Sequence, residues 1–168
     1  MNLVANNLQK TYYKRGKIVR VYLDTCVLNR LLDPPLNEEI VKEAQITELI
    51  INEIDKGNLE LVDSDVLKKE TQAVKEENRR FVLEGIRSKA KIYISVDLEK
   101  IIEAQQLTEQ GLDFYDALHV ICAESGADIF LTVDKRLLKK LKKINNLKIE
   151  ALNPVDFWRK YASYKGRR

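Results

Sequence analysis

Residues 116–134 read DALHVICAESGADIFLTVD, and this segment gives the clearest indication of the fold class. Its first half has the apolar content of a buried helix and stops near Gly126, a natural helix end. Its second half is a short apolar run with β-branched and aromatic residues, which is typical of a buried strand. An aspartate follows that strand directly. A helix that leads into a buried strand indicates an α/β domain.

The same alternation continues on both sides of this stretch. Strands are predicted at 19–24, 59–62, 91–96, 128–133 and 147–152, and helices at 37–57, 64–77, 78–90, 97–110, 113–125, 135–143 and 155–161. This order predicts an α/β domain whose central, mostly parallel sheet is flanked by helices.

The length of 168 residues fits one domain. We expect that domain at 19–161, between a basic N-terminal arm at 1–18 and a basic tail at 162–168. Three interpretations of the arm stay open: a disordered segment, a nucleic-acid contact, or a translation start placed too far upstream.

Composition excludes several classes of protein. Hydrophobic residues make up 45% and charged residues 33%, with 6 Gly and 3 Pro, which excludes a disordered or collagen-like chain. No apolar run approaches the roughly 20 residues of a membrane span, and the first 20 residues lack the apolar segment of a secretory signal. With two distant cysteines and one histidine, a His/Cys zinc site is not expected. We therefore expect a reduced, cytoplasmic protein with no membrane partner.

Charge is unevenly distributed along the chain. Residues 1–20 carry five basic groups and no acid, residues 21–134 carry 12 basic and 24 acidic groups, and residues 135–168 carry 12 basic and two acidic groups. An acidic body with basic ends favours a cation-binding cleft beside a surface that attracts phosphate. The alternative is that these charges are ordinary solvated faces.

Two aspartates stand at strand ends, where open parallel sheets bind their ligands. Asp24 follows the first strand and Asp134 follows the strand at 128–133. Thr25 and Thr132 lie beside them, with hydroxyls able to orient a carboxylate or a metal-bound water. The alternative for each aspartate is that it caps the next helix.

Glu70 is predicted to lie on the inward stripe of its helix. Val66, Ala73 and Val74 share that stripe at helical spacing. A carboxylate on an apolar stripe is costly unless it is paired or binds a metal. The alternative is a buried ion pair with one of three nearby arginines, Arg79, Arg80 or Arg87.

Asp116 lies at the start of the helix predicted in segment 116–134. It stands three residues after Asp113, so a capping-box-like helix start is an alternative to a functional role. His119 is expected to be a packed, hydrogen-bonded residue rather than a ligand, and Cys26 and Cys122 are expected to be small core residues.

Three segments together resemble the PIN-domain ribonucleases, including the VapC-type toxins. They are VYLDTCVLNRLLD at 21–33, SDVLKKE at 64–70 and DALHVICAESGADIFLTVD at 116–134. The resemblance implies a PIN-like three-layer domain, with four acids around Mg²⁺ or Mn²⁺. Carried over to this chain, the catalytic and metal-binding acids are Asp24, Glu70, Asp116 and Asp134.

One position departs from the family pattern. The residue two after the first aspartate is often Asn in that family, and here it is Cys26. Asn29 follows three residues later and is the candidate to supply an amide.

Other classes of protein fit the sequence less well. The turn after the first strand has no glycine of the kind that binds a dinucleotide, and Cys26 stands where a haloacid-dehalogenase-type phosphatase needs an aspartate.

The resemblance implies a metal-dependent endoribonuclease that hydrolyses single-stranded RNA. It also implies a homodimer and, if the protein is a toxin, an antitoxin partner; standalone RNA processing is the other setting. The non-enzymatic alternative is a catalytically inactive PIN-like module that binds RNA or protein. The basic helix after Asp134 offers Lys135, Arg136 and Lys139 to RNA phosphates, unless these residues are simply its solvated face.

Overall fold

Five parallel strands form the centre of the protein in the computed structural model, which describes residues 17–165. They are β1 (Val19–Leu23), β2 (Leu59–Ser64), β3 (Ile92–Ile94), β4 (Ile129–Leu131) and β5 (Glu150–Leu152), in the order β3-β2-β1-β4-β5. The predicted α/β fold with a parallel sheet is confirmed. Most of the predicted arm at 1–18, and residues 166–168 of the predicted tail, lie outside the described residues.

Eight helices accompany the sheet within the described residues. They are α1 (Thr25–Arg30), α2 (Glu38–Asp55), α3 (Asp65–Gln72), α4 (Glu77–Arg87), α5 (Leu98–Glu109), α6 (Phe114–Gly126), α7 (Lys135–Leu141) and α8 (Pro154–Lys165). In this part of the chain, no helix combines the length and hydrophobicity that crossing a membrane would require.

Local signals explain where several of these helices begin and end. The side chains of Asn37, Ser64 and Asp97 each accept a backbone N–H from the first turn of the helix that follows, as expected for N-caps. Gly57 and Gly111 follow helix ends with φ of 73° and 103°, a left-handed conformation that glycine adopts without steric cost.

Burial explains why strands β1 and β4 are mainly apolar. Val21, Tyr22 and Leu23 of β1 are fully buried, and all three residues of β4 are buried. A parallel sheet covered by helices on both faces has no solvated side, so side chains on both faces are apolar. In α6 the unbroken run from Ala117 to Ala123 is buried as well, which explains its lack of a polar stripe.

The strand order places two carboxyl ends side by side. β1 lies between β2 and β4, and Leu23 of β1 pairs with Leu131 of β4. The chain leaves β1 towards β2 on one side, while β4 and β5 extend the sheet on the other. This is the topological switch point at which open α/β sheets bind ligands. Asp24 stands there.

One helix was not predicted, and the largest errors in predicted helix ends are those of α3 and α8. The short helix α1 was not anticipated, because six residues are too few to show a period. Helix α3 ends at Gln72 rather than 77, so Ala73 is exposed and does not extend the apolar stripe. The chain turns early because Arg80 donates to the Val74 carbonyl and α4 packs back against α3.

The second misplaced end is that of the C-terminal helix. Helix α8 continues to Lys165, where a stop at Tyr161 and a tail from 162 were predicted. The last turn is held because Lys165 and Tyr161 both donate to Glu53 of α2.

Candidate functional site

Asp24 lies between the end of β1 and the start of α1, against β4. Its backbone N–H donates to the Leu131 carbonyl at 2.9 Å, and the residue is 7% exposed. One carboxylate oxygen, Oδ2, accepts from the Thr132 hydroxyl at 2.8 Å and from the Cys26 thiol at 3.1 Å. The carboxylate makes no cap hydrogen bond to α1, so the capping alternative is not formed here. Asp24 is instead oriented by two neutral donors.

Glu70 approaches Asp24 from α3. It is half-buried, and its Oε2 accepts from the Thr25 hydroxyl and from Nε2 of His119, the latter at 2.9 Å. Burial opposes ionisation, but these hydrogen bonds and the histidine charge lower the pKa of Glu70. The ion pair considered as an alternative is not formed. The three arginines bond Asp33, the Val74 carbonyl and Asp63 instead.

His119 lies between the two carboxylates. His119 is 2% exposed, as expected for a packed histidine, and Nδ1 is 2.8 Å from the Tyr22 hydroxyl. Its Nε2 is 3.8 Å from Asp24 Oδ1. Burial disfavours the charged ring, but the Glu70 hydrogen bond and the charges of Asp24, Glu70 and Asp116 raise the pKa of His119.

Potential ligand atoms of Asp24, Glu70 and His119 all lie within 4.8 Å of one another. This group brings together an expected pair of acids and a histidine that was not expected at the site. The sequence showed His119 only within an apolar run, and nothing there signalled that its ring would face Glu70.

Asp116 lies in the first turn of α6. The capping-box alternative is not formed, because Asp113 makes no side-chain cap hydrogen bond. Burial and the negative charges of Asp24, Asp113 and Asp134 raise the pKa of Asp116. Within residues 17–165 no hydrogen bond neutralises this carboxylate. Asp116 is therefore an acid in an acidic environment, close to the three-residue group but outside it.

Asp134 caps the helix that follows it. Its Oδ1 accepts the backbone N–H groups of Arg136 and Leu137, so it caps α7, which is the alternative considered for it. The side chain is exposed, and its backbone N–H donates to the Thr132 hydroxyl. Its charge still reaches Asp116.

Asn29 and Cys26 occupy the region where the family pattern differs. The Asn29 amide donates to the Thr25 carbonyl and accepts from Arg79, so it ties α1 to α4 rather than touching Asp24. Cys26 is half-buried rather than a plain core residue. Burial and the Asp24 charge raise the pKa of its thiol, which keeps the thiol neutral as a donor to Asp24.

The basic helix α7 has the amphipathic pattern considered for it. Leu137 and Leu141 are buried, whereas Lys135, Arg136 and Lys139 are exposed. Lys135 pairs with Glu39 of α2. Contacts between these three basic residues and RNA stay a prediction.

Fold and site together define an α/β domain of parallel strands with an acidic cluster at its switch point. The PIN domain family matches residues 21–144, which is most of the chain. The chain therefore belongs to the PIN domain family, whose members are generally nucleases. This confirms the family seen in the sequence, and the narrower VapC-type assignment stays a proposal.

Two solved structures align with most of the chain. PAE2754 from Pyrobaculum aerophilum is similar at 18% identity and a TM-score of 0.51, over 91% of this chain and 96% of that one. FitAB bound to an IR36 DNA fragment aligns at 16% identity and a TM-score of 0.49, over 80% of this chain and 94% of that one. The first of these supports the fold. No curated protein matches the sequence.

Proposed function

We propose that the protein is a metal-dependent endoribonuclease that cuts single-stranded RNA. The proposed metal-binding residues are four acids: Asp24, Glu70, Asp116 and Asp134. One observation carries the proposal: the carboxylate of the part-buried Asp116 has no hydrogen-bond partner among residues 17–165, and the charges of Asp24, Asp113 and Asp134 lie close enough to raise its pKa. Gathering carboxylates in this way is unfavourable unless a cation offsets their repulsion.

The donor atoms fit a hard divalent cation. Carboxylate oxygens are the ligands that Mg²⁺ and Mn²⁺ prefer. Both nitrogens of His119 have hydrogen-bond partners, and the Cys26 thiol stays protonated. Oxygen therefore dominates the atoms free to bind a metal. A bound cation would supply a water of lowered pKa and stabilise the charge that develops on the phosphate.

The protein's own residues orient these acids. Thr132 and Cys26 hold one oxygen of Asp24, and Thr25 and His119 hold one oxygen of Glu70. Fixed carboxylates avoid the cost of reorganising when substrate binds. The RNA strand is proposed to run past the exposed Asp134 onto α7. There Lys135, Arg136 and Lys139 would contact its phosphates.

The decisive experiment is cleavage of a mixed single-stranded RNA pool by the purified protein with Mn²⁺ or Mg²⁺, against EDTA. Asp24→Asn and Asp116→Asn should each lower cleavage by about 100-fold or more, since loss of a ligand should exceed the 10–100-fold typical of outer-shell changes. Asp128→Asn is the matched control. Asp128 precedes β4, and its carboxylate accepts from Lys17 and the Arg20 N–H.

Unchanged cleavage in both site variants would refute the assignment. RNA binding without cleavage by folded protein that also binds Mn²⁺ would favour the inactive PIN-like module instead. Charge reversal of Lys135, Arg136 and Lys139 should reduce the salt dependence of RNA binding. An unchanged salt dependence would remove α7 from the proposed RNA path.

The proposed setting is a cytoplasmic toxin that forms a homodimer and binds an antitoxin protein. The two free cysteines suit a reducing compartment. Large apolar side chains are exposed on neighbouring helices, with Leu98 and Ile102 on α5 and Phe114 and Tyr115 on α6. Exposed apolar surface of this kind is available for a protein partner. Light scattering of the purified protein tests the dimer, since a monomeric mass would contradict it.

A further inference from the structure

A chain of buried hydrogen bonds runs from the core to Glu70. Ser64 Oγ is 2.7 Å from the Tyr22 hydroxyl, which is 2.8 Å from Nδ1 of His119. Nε2 of the same ring is 2.9 Å from Glu70 Oε2. Ser64 and Tyr22 are fully buried, and His119 is 2% exposed. Because water does not reach these groups, their orientation depends on one another.

The direction of each hydrogen bond follows from the chemistry of the groups. An ionised carboxylate only accepts, so Nε2–H of His119 donates to Glu70. In the neutral ring Nδ1 is then an acceptor, and the Tyr22 hydroxyl must donate to it. The Ser64 hydroxyl donates to the Tyr22 oxygen and accepts the Leu67 N–H at 3.2 Å. Every group in the chain then has a partner.

This arrangement holds helix α3 at two points. Ser64 caps its N-terminus, and Glu70 lies near its C-terminal end. Tyr22 belongs to β1 and His119 to α6, so three separate elements are linked. Without the imidazole, the Thr25 hydroxyl would be the remaining hydrogen-bond donor to Glu70 within residues 17–165.

We propose that Tyr22 and His119 are positioning residues for Glu70. In the neutral ring, Tyr22 and Glu70 together fix the Nε2–H tautomer of His119, and His119 holds the Glu70 carboxylate facing the site. The proposal rests on the metal-binding role proposed above for Glu70. Hydrogen-bonded partners of this kind orient metal ligands and raise metal affinity. His119 is not itself a ligand here, because its Nε2 would have to release Glu70 to bind a cation.

The single histidine of the chain makes the tautomer directly measurable. Protein labelled with ¹⁵N-histidine gives the nitrogen signals of one imidazole, and at about pH 9 without metal we expect a protonated Nε2 and a bare Nδ1. Tyr22→Phe removes one hydroxyl and keeps the ring, and it should produce a mixture of tautomers. A bare Nε2 in the native protein, or no change in Tyr22→Phe, would overturn the proposal.

The histidine spectrum recorded with saturating Mg²⁺ provides a second test. The Nε2 proton should persist when Mg²⁺ is added, because His119 continues to donate to Glu70. Loss of that proton on Mg²⁺ binding would make His119 a ligand and would overturn its positioning role.

Mn²⁺ affinity, measured by electron paramagnetic resonance titration, tests the consequence for the site. His119→Leu should weaken Mn²⁺ binding about 10–100-fold, and Tyr22→Phe should weaken it by a smaller factor. His119→Gln, which keeps an N–H donor, should recover part of the loss. Tyr161→Phe removes a different buried hydroxyl, one that donates to Glu53, and should leave Mn²⁺ affinity unchanged.

The two proposals fail in different ways. If the native protein binds no Mn²⁺, the proposed nuclease site is wrong, while the histidine spectrum still decides the tautomer. If the native protein binds Mn²⁺ and His119→Leu binds it equally well, the positioning role is wrong and the acidic site stands.

Discussion

Replacing Glu53 with glutamine removes a buried charge that anchors the C-terminal helix α8 to α2. Glu53 is 4% exposed. Its Oε2 accepts from Lys165 at 2.6 Å, from Asn58 at 3.0 Å and from Tyr161 at 3.1 Å, and Lys56 lies 3.3 Å from Oε1. Burial opposes ionisation, but these donors outweigh it and lower the pKa of Glu53 to about 2.

The size of the effect follows from that pKa. A fall from an ordinary value near 4.5 to about 2 corresponds to roughly 3 kcal/mol of stability. Lys56 and Lys165 are about half exposed or more, so solvent screens part of their interaction. We therefore expect Glu53→Gln to lower the free energy of unfolding by about 2–3 kcal/mol near pH 7.

The pH dependence has a definite sign. Because the folded-state pKa is depressed, the stabilisation is complete above the unfolded-state pKa and declines as the pH falls towards about 2. Roughly half of the difference between native protein and Glu53→Gln should remain at about pH 3.3.

Urea unfolding followed by circular dichroism measures this difference. Glu48→Gln is the matched control, because Glu48 is exposed on the same helix, and its effect should stay within about 0.5 kcal/mol. The reasoning is refuted if Glu53→Gln is as stable as native protein near pH 7. It is also refuted if the difference does not shrink in acid.

Three further predictions concern other parts of the molecule. Asp116→Asn should stabilise the metal-free protein by about 1 kcal/mol by removing like-charge repulsion; a thermal shift assay should also show that stabilisation by Mn²⁺ is reduced. Arg79→Met should lower the free energy of unfolding in urea by about 2–3 kcal/mol, because Arg79 donates to the side chains of Asn29 and Asp33 and to the Leu32 carbonyl. Native-like stability would contradict this. Gly111→Ala should destabilise the protein by about 1 kcal/mol, because the φ of Gly111 is 103°. Gly85 lies inside α4 with open space around it, so Gly85→Ala should stabilise the protein by about 0.5–1 kcal/mol. Equal unfolding midpoints of the two variants would refute the backbone argument.

The order of elements was predictable because its signals are local. Asn37, Ser64 and Asp97 cap helices through groups only three residues away. Strand β1, buried except for Arg20, appears in the sequence as a mainly apolar run that is followed by an acid. Short or interrupted elements were not predictable in this way. Helix α1 has six residues, and the end of α3 depends on how α4 packs.

The acids of the candidate site illustrate a second limit. Asp24 and Asp134 look alike in sequence, since each directly follows a predicted, mainly apolar strand. In the structure Asp134 caps its helix, and Asp24 does not. The difference arises because the Thr132 hydroxyl and the Cys26 thiol hold Asp24, and Thr132 reaches it only through the pairing of β1 with β4.

The sequence by itself therefore determined the parallel α/β class, the caps of several helices and the acids at strand ends, because each depends on neighbours along the chain. Only the tertiary structure decided that Glu70 would be held by Thr25 and His119, and that His119 would be held by Tyr22. These partners are 45–97 residues apart along the chain. Strand order and helix packing bring them together, and neither can be read from residues adjacent in sequence.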